Sequence, residues 1–124
     1  DSLLPAIYLT QKLDIAVVGI GYPNEKSAIM ATGYFKENEI ESLIDRKVAG
    51  ELCMQFYDIY GDTAPYKDDN NVIGMDISML RSVPRSIGIA GGVEKLRAVR
   101  GAINGHYINT LITDIECAEA LISE

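Results

Sequence analysis

Residues 84–95 read Pro-Arg-Ser-Ile-Gly-Ile-Ala-Gly-Gly-Val-Glu-Lys, and this stretch decides the fold. Ile87, Ile89 and Ala90 form a short apolar run without charges, bounded by a proline on one side and two glycines on the other. Such a run is typical of a buried parallel strand. Apolar residues then recur at three- and four-residue steps, which predicts a helix directly after the glycines. They are Val93, Leu96, Val99 and Ile103.

A strand, a glycine pair and a helix in succession leave the backbone N–H groups of Gly91 and Gly92 free at the mouth of a sheet. The helix dipole also favours negative charge there. Lys95 adds a positive charge against its own helix dipole, which suggests an anionic ligand. Backbone geometry alone can equally place two glycines at such a turn. The stretch has neither Gly-Lys-Ser/Thr nor Gly-x-Gly-x-x-Gly, so nucleotide binding is not indicated.

Length and charge limit the classes of protein that fit. The 124 residues suit one domain or a piece of one, and 18 acidic against 11 basic side chains give a net charge of −7. This balance argues against a nucleic-acid surface, which needs clustered Lys and Arg. No apolar stretch approaches the ~20 residues of a membrane span, and no signal-peptide pattern opens the chain. Cys53 and Cys117 have no metal-binding spacing, so we expect buried free thiols and a cytoplasmic location.

The remaining patterns alternate between strand and helix. Asp14 precedes the apolar run Ile-Ala-Val-Val and then Gly19–Ile20–Gly21, a second strand that opens onto a glycine loop. Alternation over 51–57 predicts another strand, and 108–112 predicts a fourth. Capping boxes starting at Asn38 and Thr113 predict helices. This order implies a parallel sheet with helices packed on its faces, an α/β fold.

Few residues here suggest catalysis or metal binding. Gly21 is a natural place for a ligand to approach the backbone, and a tight turn explains it equally well. His106, the only histidine, follows a glycine and has no evident partner, so we expect it at the surface. We therefore expect no metal, no cofactor and no catalytic residue.

Several motifs together resemble a known family. Ile-Ala-Gly-Gly-x-x-Lys at 89–95, Gly-Ala-Ile-x-Gly at 101–105 and Ile-Asn-x-Leu-Ile-Thr-Asp at 108–114 resemble the end of the sugar-binding domain of SorC/DeoR-type bacterial transcriptional regulators, in particular the sorbitol/sorbose-operon branch. Residues 14–21 and the pair Gly50–Glu51 fit the same family in the same order. The resemblance covers nearly the whole chain from Leu13 onward.

The resemblance implies a Rossmann-like layered parallel sheet, as in the glucosamine-6-phosphate isomerase/ribose-5-phosphate isomerase fold. The family's effector domain binds sugars or sugar phosphates and signals to an N-terminal helix-turn-helix. Because that domain has roughly twice this length, residues 1–124 would form its carboxyl-terminal half. DNA would be bound only by a domain absent from this chain. The family also implies a homo-oligomer, a dimer or tetramer, and no membrane.

Residue roles follow from the same resemblance. Lys95 would contact an anionic or hydroxyl-rich ligand, and the carboxylate of Glu51 would accept sugar hydroxyls. The loop Gly19–Ile20–Gly21 would close on the ligand, next to Gly91 and Gly92. Asp69 falls where relatives have a polar loop residue. Relatives often have Arg two positions later, where this chain has Asn71, and this departure favours an unphosphorylated sugar or an anion clamp at a different place.

Two other functions remain open from the sequence. An enzyme on the same fold could be a sugar-phosphate isomerase with Glu51 as the base, or a lyase that forms a Schiff base through Lys95. The sequence has no carboxylate–histidine pair and no isomerase signature, which favours the ligand sensor. A structural α/β domain without a ligand is the third possibility, because glycine turns alone do not require one.

Overall fold

The computed structural model describes residues 4–10, 12–23, 36–70 and 76–123. We number helices and strands in chain order. The α-helices are α1 (Leu4–Thr10), α2 (Glu37–Asp45), α3 (Leu96–Asn104) and α4 (Ile115–Ile122). The strands are β1 (Ile15–Gly19), β2 (Gly50–Leu52), β3 (Gln55–Tyr57), β4 (Arg85–Ile89) and β5 (Thr110–Ile112). Short 3₁₀ helices cover Ala64–Tyr66, Ile77–Ser82 and Val93–Lys95. The apolar residues 72–75 (Val-Ile-Gly-Met) also predict a short strand, but they lie outside the described residues, as does Asn71.

The stretch at 84–95 forms the central strand of a parallel sheet, as predicted. β4 pairs with β1 on one side and with β5 on the other, and both pairings are parallel. Ile87 is opposite Val17 in one neighbour and opposite Thr110 in the other. The pairing extends past the strand ends, where the Ile20 N–H donates to the Ile89 carbonyl at 3.0 Å. This fixes β1 and β5 on either side of the glycine pair.

One face of this sheet is packed and the other is open. The packed face contributes Ala16 and Val18 to a core that includes Ala98, Val99 and Cys117 from α3 and α4. The opposite face leaves apolar side chains 44–60% exposed in the described part of the chain, namely Ile15, Val17, Ile89 and Ile112. We expected helices on both faces and therefore burial of the whole apolar runs. That expectation is wrong for the side chains on the open face. The α/β class and the parallel sheet are confirmed.

The stretch 51–57 forms a hairpin, not the single strand that its alternation predicts. β2 and β3 pair antiparallel, and Cys53 and Met54 make the two-residue turn with φ of 52° and 67°. Two residues with positive φ match the twist of a hairpin turn. The usual sequence signal, Asn-Gly or Asp-Gly, is absent, so the alternating pattern over 51–57 gives no indication of the turn. Cys53 is consequently exposed, and of the two free thiols only Cys117 is buried as expected.

Both predicted helix caps shift along the chain. α2 begins after Lys36, whose N–H donates to the Glu39 carboxylate at 3.2 Å, so the predicted start at Asn38 is wrong. α4 begins after Asp114, whose carboxylate accepts from the Cys117 N–H at 2.8 Å, so the predicted cap at Thr113 is also wrong. Asp is as strong an N-cap as Thr or stronger. At α4 the Asp114 side chain thus satisfies a first-turn N–H, whereas at α2 the Glu39 side chain satisfies the N–H of the residue that precedes the helix.

Candidate functional site

All three parallel strands end at one edge of the sheet. β1 ends at Gly19, β4 at Ile89 and β5 at Ile112. In open α/β sheets, ligands bind in the crevice outside the carboxyl ends of the strands. The loops that follow these strands contain most of the residues predicted to bind a ligand. The topology therefore brings the two glycine turns, at 19–21 and 91–92, to the same edge.

The hairpin reaches this edge through a two-way backbone contact. The Gly21 N–H donates to the Glu51 carbonyl at 3.0 Å, and the Glu51 N–H donates back to the Gly21 carbonyl at 2.9 Å. These bonds form an isolated antiparallel bridge between the first glycine loop and β2. Glu51 is thereby held beside Gly21, as its predicted role requires.

The Glu51 carboxylate lies directly over Gly21, where a Cβ would overlap Oε1. Its other oxygen accepts from the Met54 N–H at 3.0 Å. Burial raises the pKa of Glu51, while the Met54 hydrogen bond and then the charge of Lys95 lower it. The side chain is half-buried, and its carboxylate keeps acceptor capacity beyond the Met54 bond. It can accept hydrogen bonds from hydroxyl groups.

Lys95 lies at the end of the 3₁₀ helix that follows the glycine pair, and its N–H donates to the Gly92 carbonyl at 3.1 Å. Its ammonium is close enough for its charge to act on the pKa of Glu51. Glu51, hydrogen-bonded to Gly21, and Lys95, hydrogen-bonded to Gly92, thus lie at the same edge of the sheet, from loops far apart in the chain. Their role as ligand contacts stays a prediction.

Asp114 belongs to the same edge, and sequence reasoning missed it. Its Oδ2 accepts from the Gly92 N–H at 2.6 Å, and its Oδ1 accepts from the Cys117 N–H. These two backbone hydrogen bonds lower the pKa of Asp114. Asp114 ends the quoted family motif at 108–114, and Asp before a helical pattern is a capping signal. The bond to Gly92 has no local signal, because it joins residues 22 positions apart.

The remaining predicted residues differ in what they offer a ligand. Gly19 is exposed, and an added Cβ would meet nothing within 4 Å. The Ile20 side chain is 2% exposed and packs in the core, so only its backbone faces the edge. Gly91 is exposed, and the Asp114 carboxylate lies 3.5 Å from the place of its Cβ.

Asp69 has a different partner. It forms a two-pronged ion pair with Arg46, with N–O distances of 2.6 and 3.1 Å. Arg46 also donates to the Pro65 carbonyl and stacks over the ring of Tyr66, whose hydroxyl donates to the Arg46 carbonyl. These contacts attach the end of α2 to the loop at 58–70. They give Asp69 a structural role beside Tyr66, which belongs to a core cluster separate from that of β1.

Other candidate features lie elsewhere or do not form within the described ranges. A polar hollow of about 270 Å³ is lined by none of the predicted site residues. It is lined by Gln55, Asp62, Thr63, Ala64, Lys67, Asn70 and Asp76. Among the residues that the structure describes, no three His, Cys, Asp or Glu side chains come together to hold a metal ion. None of the described helices is long and apolar enough to cross a membrane.

Comparisons with known proteins place the chain in a family. The family model described as "Putative sugar-binding domain" matches residues 3–123. The Sorbitol operon regulator of Klebsiella pneumoniae is 38% identical over 110 residues, covering 89% of this chain and 35% of that protein. The Deoxyribonucleoside regulator of Bacillus subtilis is 31% identical over 118 residues, covering 95% and 37%.

A solved structure agrees with these relatives. The full-length Sorbitol Operon Regulator SorC from Klebsiella pneumoniae superposes with a TM-score of 0.81 at 36% identity, covering 93% of this chain and 37% of that one. The chain thus spans little more than a third of the relatives' length. All of these relatives are named as regulators and none as an enzyme. The chain belongs to the sugar-binding domain family of SorC/DeoR-type transcriptional regulators.

Proposed function

We propose that residues 1–124 are the carboxyl-terminal half of a sugar-binding effector domain and contribute one wall of its ligand site. The observation that carries this proposal is that Glu51 and Lys95 both lie at the carboxyl edge of the parallel sheet, where backbone hydrogen bonds hold them to Gly21 and Gly92. A carboxylate accepts hydrogen bonds only, and an ammonium donates three. Together they match a ligand whose hydroxyl groups both donate and accept. The ligand class is therefore a sugar or a sugar phosphate.

The backbone at this edge completes the wall. Gly19 and Gly91 are exposed and have no side chains between the solvent and the main chain, so a polyol can approach closely. Glu51 is half-buried, and a hydrogen bond to a partly desolvated carboxylate contributes more than one in open water. We expect the strongest ligand contacts at Glu51 and Lys95. The glycines provide space, and Asp69 is outside the proposed site.

The open sheet face supports a larger domain. Parallel sheets are normally covered on both faces, since their connections place helices there. Here Ile15, Val17 and Ile112 are 55–60% exposed on one face. In the proposed whole domain, elements that precede this segment cover that face and complete the Rossmann-like layers of an isomerase-type fold. They would also supply the opposite wall of the ligand site.

In the proposed mechanism the ligand shifts a population of conformations. A sugar that binds one arrangement of the domain more tightly favours that arrangement, and this change is coupled to the DNA-binding domain of the whole regulator, which residues 1–124 do not include. Symmetric assembly into a dimer or tetramer is the usual way to present paired DNA-binding heads. A cytoplasmic location agrees with the two free thiols and with contact to DNA.

The enzyme alternative has less support. An enzyme would use Glu51 as a base or Lys95 in a Schiff base, but the named relatives are regulators. The single histidine is exposed beyond the end of α3 and is not among the groups that act on the pKa of Glu51. We propose a binding domain without catalysis. Turnover of any sugar phosphate by the purified protein would overturn this part of the proposal.

The test is ligand-dependent thermal stabilisation of the protein that contains this segment. Hexitols, ketoses and their phosphates form the panel, and calorimetry measures the affinity of each compound that raises the melting temperature. Lys95→Ala should abolish the stabilisation, whereas Lys67→Ala, an exposed lysine outside the proposed site, should retain it. If Lys95→Ala binds as tightly as the parent, Lys95 is not a ligand contact. If no compound binds, the proposed function itself fails.

A further inference from the structure

The turn at Gly91–Gly92 already binds a carboxylate of the protein itself, that of Asp114. Gly92 has φ of 96° and donates its N–H to Oδ2 of Asp114 at 2.6 Å. The second oxygen of the same carboxylate caps α4 through the Cys117 N–H at 2.8 Å. The carboxylate also lies close to Gly91. An N–H group committed to a short charge-assisted bond is not free for a ligand phosphate.

Other carboxylates surround this turn. A Cβ on Gly92 would overlap the carboxylate of Glu94, so that side chain lies against the turn from a second direction. Glu51 stands on the hairpin side, within the electrostatic reach of Lys95. Two carboxylates, those of Asp114 and Glu94, therefore lie against the turn, and one ammonium, that of Lys95, follows it in the chain. An added dianion would meet more repulsion than attraction.

We infer that Asp114 excludes anionic ligand groups from the Gly91–Gly92 turn, so that the ligand presents uncharged hydroxyl groups to this wall. This inference rests on the proposed sugar-binding function and specifies which part of the ligand can face this turn. Lys95 then serves as a hydrogen-bond donor to hydroxyls and as the counter-charge of Glu51, not as a phosphate anchor. A phosphate, where the ligand has one, binds away from this turn. Asp114 is thus a specificity-determining residue.

The experiment follows the amide resonance of Gly92 by NMR during titration with inorganic phosphate at constant ionic strength. In the parent protein we expect no saturable shift of this resonance. Asp114→Ser retains a good cap for α4 but is too short to accept from Gly92, so the released N–H should show a saturable shift with phosphate. Helical chemical shifts over 115–122 verify that the variant keeps α4.

Asp114→Asn removes the negative charge but keeps a side chain of the same size beside Gly92. Its single amide oxygen can still cap α4 through the Cys117 N–H, whereas its NH2 group fills the place of Oδ2 but cannot accept from the Gly92 N–H, and the side chain has no negative charge. We expect a phosphate-dependent shift of the Gly92 resonance that is larger than in the parent and smaller than in Asp114→Ser. A saturable shift in the parent protein overturns the inference, and so does a folded pair of variants that respond no more than the parent.

These outcomes are distinct from failure of the proposed function. If no sugar of the panel binds, the proposed function fails whatever phosphate does at Gly92. If a neutral polyol binds through Lys95 and the parent's Gly92 resonance nevertheless saturates with phosphate, the proposed function stands and the exclusion by Asp114 is wrong. Titration with a sugar and its phosphate ester then shows which end of the ligand faces the turn.

Discussion

Oε1 of Glu51 occupies the space that a methyl group on Gly21 would need, and the backbones of the two residues are bonded in both directions. Because Gly21 has no side chain, the Glu51 carboxylate can lie at this position. The Gly21 backbone needs no left-handed conformation, so steric room, not flexibility, explains the glycine. The carboxylate is placed by a packing contact between two loops.

Gly21→Ala should move the Glu51 carboxylate without unfolding the protein. Its flexible end can rotate away, at the cost of about 1 kcal/mol for the Met54 hydrogen bond. Titration of the Glu51 carboxyl resonance by ¹³C NMR should then report a pKa different from that of the parent. Gly19→Ala is the matched control, because an added Cβ there meets nothing within 4 Å. An unchanged Glu51 pKa in Gly21→Ala would contradict the contact.

Glu51→Gln should remove one component of the pH dependence of stability. Burial raises the folded-state pKa of Glu51 above its ordinary value of 4.5, so the folded state binds more protons than the unfolded state between the two values. The contribution of Glu51 therefore falls as pH rises from about 4.5 through the folded-state pKa, and is lowest above it. Urea unfolding of both proteins across this range should show the parent losing stability relative to Glu51→Gln. A constant difference would refute the raised pKa.

Asp69→Asn should weaken the fold but not ligand binding. Loss of the two-pronged pair with Arg46 should cost about 1 kcal/mol, since both side chains are partly exposed. The measurement is the free energy of unfolding together with the affinity for the best ligand of the panel. A lower ligand affinity with unchanged free energy of unfolding would indicate that Asp69 contacts the ligand.

Cys53 and Cys117 should differ in reactivity. Partial burial of the thiol, and secondly the charge of Glu51, raise the pKa of Cys53. The residue as a whole is nevertheless exposed to solvent. A thiol reagent should therefore modify Cys53 in the folded protein, more slowly than a free cysteine, and spare buried Cys117. Glu51→Gln should accelerate the reaction, because it removes the charge that opposes the thiolate. Equal rates for the two cysteines would contradict the described burial.

Val17 and Val18 provide a test of the open sheet face. Val18 is 8% exposed and Val17 is 60% exposed on neighbouring positions of β1. In the 124-residue chain, Val18→Ala should cost about 1–3 kcal/mol of unfolding free energy and Val17→Ala less than about 0.5 kcal/mol. In a longer protein whose preceding elements cover this face, Val17→Ala should become costly as well. Equal small effects in the longer protein would argue against the proposed covering elements.

Local patterns identified much of the architecture. The apolar runs at 15–18 and 87–90, each followed by glycine, predicted strands that do form, and their alternation with helices predicted the parallel pairing. Lys95 after the glycine pair and Glu51 after Gly50 are likewise visible in the sequence as charged residues next to glycine turns. These features depend on neighbours along the chain, which a sequence displays directly.

The sequence by itself determined the strand–glycine–helix order, the family motifs and the types of charged group at the sheet edge, since steric and hydrophobic preferences act over a few residues. Only the tertiary structure decided that Glu51 lies over Gly21, that Asp69 pairs with Arg46 and that Asp114 takes the Gly92 N–H. Each of these contacts joins loops distant in sequence. Their partners depend on how the sheet and hairpin bring the loops together, and no local pattern contains that information.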